Sequence, residues 1–389
     1  MSPKPPGKPS VAIIGAGVCG LGIGWRLAQA GCRVSVFERG QAGRGASWAA
    51  AGMLAANAET EPGEESLLPL TLASQKLWPG FAAELNAASG IDVEYRETGT
   101  LVAATNRDEA EQLRFTYEFQ RDLGLAVEWL SGAEARRREP YLRSGITGAI
   151  WAPEDHQVEN RKLAEALQAA FAKAGGALHE NSPVTGIETQ AGRAVGVRVG
   201  EDLHRADIVV LAAGSWSRDI PGLPDIALPP VRPVKGQMLS LRMDPKAPLA
   251  TSVLWAPKIY LVPRADGRLI VGATAEEKGY DPHMTAGGVL ALLDAAWRAV
   301  PAIEELPIEE MWVGFRPTSR DDAPILGESG LDGLLVATGH HRNGILLAPI
   351  TADAIARQIL TGRTLSEAAP FTLARFAAKS AATSEIAAE

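Results

Sequence analysis

Apolar positions crowd the start of the chain and then settle into two alternating periods. Val11-Ala12-Ile13-Ile14 is a short apolar run of the kind a buried parallel strand makes. It passes into Gly15-Ala16-Gly17-Val18-Cys19-Gly20, then into a helical stretch over 21–30 that Gly31 ends. A second strand over 33–37 closes on Glu38. Helical spacing returns over about 68–90, 107–124 and 161–174. The stretch 93–103 alternates as a strand does, and 177–199 predicts short strands around Gly186 and Gly192. Residues 207–217 predict a buried strand ending in small residues, Gly214 among them, where a flat group can lie against the backbone.

From 231 to 272 the pattern turns antiparallel. Its clearest piece is a hairpin: 259–263, a turn at Ala265-Asp266-Gly267, and 269–273. A helix over 285–300 and a strand over 310–316 follow, then a strand over 334–338, a loop over 339–344 and a helix from 345 to about 360.

The opening pattern fits a dinucleotide. Glycine at 15 permits the tight turn, and glycine at 17 lets backbone approach a pyrophosphate. Glycine at 20 packs helix on strand, while the helix N-terminus faces the phosphate charge. Glu38 is placed to accept both hydroxyls of an adenosine ribose, and an acid there disfavours a 2′-phosphate. The fold class expected is therefore α/β with a mixed α+β character. A Rossmann-type dinucleotide-binding domain (1–90, 155–230 and 317–376) interleaves with an antiparallel-sheet domain (91–154 and 231–316). Residues 377–389 read as a tail.

Composition narrows the function. The 389 residues are 46% hydrophobic and 22% charged, an ordinary globular balance. A net charge of −8 offers no basic face for nucleic acid or an anionic membrane. No apolar run reaches the ~18 residues a membrane span needs. The proline-rich first ten residues read as a loose leader and not a signal peptide. Cys19 and Cys32 suggest neither a disulfide framework nor a zinc site, which favours a reducing, cytoplasmic setting. Of six histidines only His340-His341 adjoin, without a third ligand, so no metal is expected.

Seven segments in order give the chain a family likeness: VAIIGAGVCGLGIGWRLAQAG (11–31), SWAAAGML (47–54), LAAGSWS (211–217), PVKGQML (233–239), YLVPR (260–264), GFRPTSRDDAPILG (314–327) and ATGHHRNGILLAP (337–349). The chain resembles the flavin-dependent D-amino acid oxidase family, most closely its glycine oxidase branch of the thiamine pathway. That resemblance implies adenine-dinucleotide contacts at Val18, Cys19, Glu38, Arg39 and Val184. It implies a segment beside the flavin ring at Ala46, Ser47, Ala51, Gly52 and Met53, with Met53 also on the substrate side. His340, His341, Arg342, Asn343, Gly344, Ile345 and Leu346 correspond to a loop around the flavin's pyrimidine edge. Arg316 and Tyr260 correspond to the pair that holds the substrate carboxylate, and Arg342 to a second substrate-side arginine. Two positions depart from the glycine oxidase pattern. Ala275 replaces a methionine, which widens the expected pocket, and Lys258 replaces a histidine.

The reaction implied is oxidative deamination of glycine or another small amino acid, by hydride transfer to non-covalent FAD, with dioxygen reduced to hydrogen peroxide. The alternative is a D-amino acid or sarcosine dehydrogenase that passes electrons to a quinone or carrier. A guanidinium suits the substrate carboxylate because it pairs bidentately. Backbone N–H groups of Asn343 and Gly344, with a helix starting at Ile345, are expected to stabilise charge on the reduced ring. No general base is evident, so the rate is expected to rise as the substrate ammonium loses its proton. A homo-oligomer is expected.

Overall fold

The computed structural model describes residues 8–377. Six strands form one sheet in the order Ile325–Glu328, Leu334–Thr338, Ile208–Leu211, Ser10–Ile14, Arg33–Phe37, Ala177–His179. Every neighbouring pair is parallel except the first. The continuous apolar run at the start has a simple cause: both faces of the central strand are covered. Val11 and Ile13 join the core under helices Val18–Gln29, Leu68–Ser89, Asn160–Lys173 and Ala348–Thr361. Ala12 and Ile14 pack the other way, against a three-stranded sheet that contributes Ile187 and Val197.

A second sheet has eight strands, in the order Ile308–Thr318, Arg232–Arg242, Arg268–Gly272, Ile259–Pro263, Val253–Ala256, Thr100–Ala104, Gly148–Ala152, Glu128–Ser131. Val253–Ala256 and Thr100–Ala104 run parallel, and the other pairs run antiparallel. Side chains alternate between its faces. Leu239, Leu241, Leu261 and Val271 pack with Leu292 and Ala296 of helix Ala286–Ala299. Met238, Val262, Ile270 and Trp312 face Ala49 and Ala51 instead. This second face looks onto the segment after the first sheet's glycine turn, which creates a site between the sheets.

Several boundaries differ from the sequence reading. Only Thr100–Ala104 of the stretch 93–103 is strand, because Arg96 is drawn aside into a single bridge with Gln157 and donates to the Pro263 carbonyl at 2.8 Å. The last helix begins at Ala348 and not at 345, since a 3-10 turn at His341–Asn343 precedes it. The elements from Glu128–Ser131 to Gly148–Ala152 carried no expectation, although Ser131 and Glu134 form a capping box that starts helix Gly132–Arg138. The tail beyond residue 377, like the leader's first seven residues, lies outside the described residues. No helix among the described residues is long and apolar enough to cross a membrane.

Candidate active site

A cavity of about 730 Å³ lies between the two sheets. That volume is in the upper part of the ~300–1,000 Å³ usual for small-molecule sites. One wall is made by residues at or just past the carboxyl ends of four strands of the first sheet: Gly15, Glu38, Ala213 and Thr338 with their neighbours. This is where an open parallel sheet leaves a crevice for ligands. The facing wall comes from the second sheet, through Met238, Trp255, Tyr260 and Arg316.

The three glycines of the opening turn differ in what surrounds them. Gly15 has φ +102°, and a Cβ there would stand 2.4 Å from the Ala212 carbonyl oxygen. A Cβ at Gly20, which is buried against the turn, would meet the Gly15 carbonyl at 2.0 Å. Gly17 is different: it lines the cavity, and its Cβ would meet only Ser47 Oγ, at 3.1 Å. The chain has closed around two glycines and left the third facing open space. That is the arrangement a bound pyrophosphate requires, so the residues fit a dinucleotide.

Other residues of that wall behave less simply. The Val18 N–H, expected to face phosphate, donates to Ser47 Oγ at 3.0 Å. Glu38 lines the cavity, but its carboxylate accepts from the N–H groups of Ala16 (2.9 Å) and Gly40 (3.2 Å). A carboxylate has about four acceptor sites, so capacity for ribose hydroxyls remains. Arg39 lies over the Trp216 ring, 3.6 Å from its centroid, and Val184 completes this end. Gly214, at φ +56°, and Cys19 also line the cavity.

Ala46, Ser47, Ala51, Gly52 and Met53 all line the middle of the cavity. Gly52 has φ +71°, and a side chain there would collide with the Val158 carbonyl at 2.0 Å. Beneath this strap sits Arg264, a residue whose role the sequence reading missed although YLVPR contains it. It is buried, and it donates to the carbonyls of Ala51 and Val158 at 2.8 Å each and to Asn160 Oδ1 at 2.9 Å. Burial lowers its pKa to about 10, still high enough to keep the guanidinium charged at neutral pH. Asp-Gly hairpin chemistry thus delivers a cation that ties the strap to the second sheet.

Arg316 stands opposite, near the end of strand Ile308–Thr318. Its Nη1 donates to the Thr274 carbonyl at 3.0 Å. The guanidinium lies over Gly236 on the adjacent strand, where any Cβ would come within 2.6 Å of Nη1. Gly314, two residues back, allows the strand to touch Ala49, whose Cβ would be 2.5 Å from an added one. Trp312 locks the same contact by donating to the Ala49 carbonyl at 3.0 Å. Tyr260 crosses the sheet above Gly272, its cross-strand partner, and its hydroxyl lies 3.8 Å from Met238 Sδ. Burial raises the Tyr260 pKa, and the neighbouring Arg316 partly offsets this. Met53 accepts from Trp255 Nε1 at 3.2 Å on Sδ. Ala275 is on the cavity wall, whereas Lys258 is exposed on the hairpin turn and is absent from that wall.

The loop after strand Leu334–Thr338 supplies His340, His341, Arg342, Gly344 and Ile345 to the cavity, but neither Asn343 nor Leu346. The Asn343 N–H is taken by the His340 carbonyl at 2.9 Å, which corrects its expected approach to the ring. Leu346 turns its carbonyl to Ser74 Oγ (2.6 Å) and Trp78 Nε1 (2.9 Å). No backbone partner among the described residues takes up the N–H of Gly344 or Ile345. Arg342 is largely committed: Nε donates to Glu59 Oε2 at 2.8 Å and Nη2 to Glu64 Oε2 at 2.6 Å. Glu59 therefore enters the site as a residue that no motif announced.

Burial lowers both histidines to about 4, so they are neutral at physiological pH. His340 binds Thr351 Oγ1 at 3.0 Å and His341 binds Thr318 Oγ1 at 2.9 Å. A histidine depressed in the folded state adds stability above its unfolded value near 6.5, and that stability is lost as pH falls toward 4. Thermal unfolding followed between pH 7 and pH 4 is expected to show this loss. His340→Gln should flatten it by about 3 kcal/mol. An unchanged slope in the variant would refute the assignment.

Fold and site together define a dinucleotide-dependent oxidoreductase whose cavity is closed by a second sheet. Residues 10–358 match the family described as FAD dependent oxidoreductase (DAO). The glycine oxidase of Geobacillus kaustophilus (strain HTA426) is 40% identical over 371 residues, covering 95% of this chain and 97% of that protein. The crystal structure of glycine oxidase from Geobacillus kaustophilus superposes with a TM-score of 0.87 at 38% identity, covering 94% of this chain and 98% of that one. Glycine oxidase from Bacillus cereus ATCC 14579 gives 0.83 at 32%, covering 90% and 95%. The chain belongs to the FAD dependent oxidoreductase family, and FAD is its cofactor.

Proposed function

We propose that this enzyme oxidatively deaminates glycine or another small primary or secondary amino acid, with dioxygen as the electron acceptor. The observation that carries the reading is a cation, Arg316, and a phenol, Tyr260, side by side on the wall that faces the FAD crevice. When bound, FAD supplies the two-electron oxidising chemistry. This chain's residues do the rest. Gly15, Gly17, Ser47, Glu38, Arg39 and Val184 seat the dinucleotide, and the Ala51-Gly52-Met53 strap flanks its reactive end. Arg316 and Tyr260 grip the substrate carboxylate, which orients the adjoining C–H bond and removes much of the entropic part of the barrier. Met53, Met238 and Trp255 keep that end apolar, so the charge pairing is stronger than in water. Free N–H groups at Gly344 and Ile345 are placed to stabilise negative charge on their side of the cavity.

Three further features belong to the reading. FAD is held non-covalently, in keeping with Cys19, whose thiol burial raises to about 12 and so keeps protonated. A cytoplasmic location without nucleic-acid or membrane partners accords with the net charge of −8. Exposed Leu290, Trp297, Ile308 and Met311 support self-association. Ala275 in place of methionine favours substrates somewhat larger than glycine.

The test is anaerobic mixing of the holoenzyme with glycine, sarcosine, D-alanine and D-proline, followed by admission of air. Loss of flavin colour and then one peroxide per amine oxidised is the expected result. Bleaching without peroxide would instead mark a dehydrogenase with a separate carrier. Tyr260→Phe is expected to lower kcat/KM about tenfold, the loss of one hydrogen bond to a charged group. An unchanged value would remove Tyr260 from the carboxylate site.

A further inference from the structure

One ionisable group on the cavity wall has no part in gripping the carboxylate or seating the dinucleotide. Glu59 lines the cavity with a side chain only 9% exposed. Its Oε2 is held by Arg342 Nε, and no hydrogen bond to Oε1 forms among the described residues. The backbone beneath it is firmly set. Buried Asp155 accepts from the N–H groups of Asn57 (3.0 Å) and Ala58 (2.6 Å), and from Asn57 Nδ2 at 2.7 Å. Glu59 also lies close enough to Tyr260 for its charge to help raise the phenol's pKa. The cavity thus carries an acid on one wall and the Arg316–Tyr260 pair on the other, complementary in sign to an amino-acid zwitterion.

We propose that Glu59 Oε1 receives the substrate's ammonium group and takes one of its protons. The inference rests on the amino-acid reading given above. In the step, an N–H bond of the ammonium breaks and an O–H bond forms on Oε1. The electron pair stays on nitrogen, leaving the neutral amine that oxidation of the adjacent carbon requires, and nothing is oxidised or reduced. Burial raises the Glu59 carboxyl to about 7, against the pull of Arg342, and Asp155 and Glu64 push the same way. His341, on the same wall, is neutral at that pH and does not compete. A carboxyl poised near neutrality accepts and returns a proton readily, unlike one at its ordinary value.

The experiment measures kcat and KM against pH for holoenzyme of the wild type, Glu59→Gln, Glu59→Asp and Glu64→Gln. Wild-type kcat/KM should climb as Glu59 ionises through about pH 7. In E59Q it should fall about 100-fold at pH 7. Its climb should move to the pKa of the free substrate amine, and the two enzymes should converge at alkaline pH. E59D, which keeps the charge but withdraws the oxygen, should show the same pattern more weakly. Calorimetric binding of acetate, which has no amine, should be as tight or tighter in E59Q. An unshifted profile in E59Q and E59D overturns the proposal. So does an equal loss in E64Q, because that would place the effect in the positioning of Arg342. Wild-type holoenzyme that oxidises no amino acid at all would defeat the underlying reading instead, and the proposal with it.

Discussion

Gly17→Val yields a folded, colourless protein. Gly17 sits at φ −76° and ψ 179°, extended backbone that valine adopts without strain. Within the chain its new Cβ would touch only Ser47 Oγ, the end of a small side chain. The fold therefore tolerates the change, and the branched side chain projects into the space that a pyrophosphate needs. Gly15→Ala is the contrasting case, because it combines φ +102° with a 2.4 Å approach to backbone and should impair folding itself. Bound flavin per chain, read from absorbance, and circular dichroism separate the two outcomes. A fully yellow Gly17→Val protein would refute the phosphate turn.

Arg316→Ala raises KM for amino acids by about 100- to 1,000-fold and hardly alters it for uncharged amines of similar size. Two charge-assisted hydrogen bonds to a carboxylate in a partly dry site contribute roughly 3–4 kcal/mol, and each 1.4 kcal/mol is tenfold. The guanidinium is oriented before substrate arrives, by the Thr274 carbonyl and the bare surface of Gly236, so little ordering entropy offsets the gain. Steady-state kinetics on paired substrates measures the effect. Equal losses for both substrate types would show that Arg316 supports the fold and not the carboxylate.

The parts legible in the chain were those governed by local rules. The glycine turn could be read because backbone sterics at 15 and 20 admit only one residue type. The central strands could be read because burial on both faces demands unbroken apolar runs. The Asp266-Gly267 hairpin carried its own turn chemistry. Arg264 lies within the YLVPR motif, but nothing local signals its task. Its three strongest partners lie more than a hundred positions away in sequence, and no local period records them. Glu59 sits in a stretch without regular structure, so neither helical nor strand spacing marks it.

By itself, then, the sequence determined the class of sheet, the place of the dinucleotide turn and the Asp-Gly hairpin of the second sheet. Each depends on residues close together along the chain, or on a turn that only glycine can make. Tertiary structure alone decided the start of the last helix at Ala348, the pairing of Arg342 with two acids, and the placing of the Glu59 carboxyl on the cavity wall. Those outcomes depend on which backbone donors are already taken, and on how far burial shifts a charge. Both are set by neighbours that only the folded chain brings together.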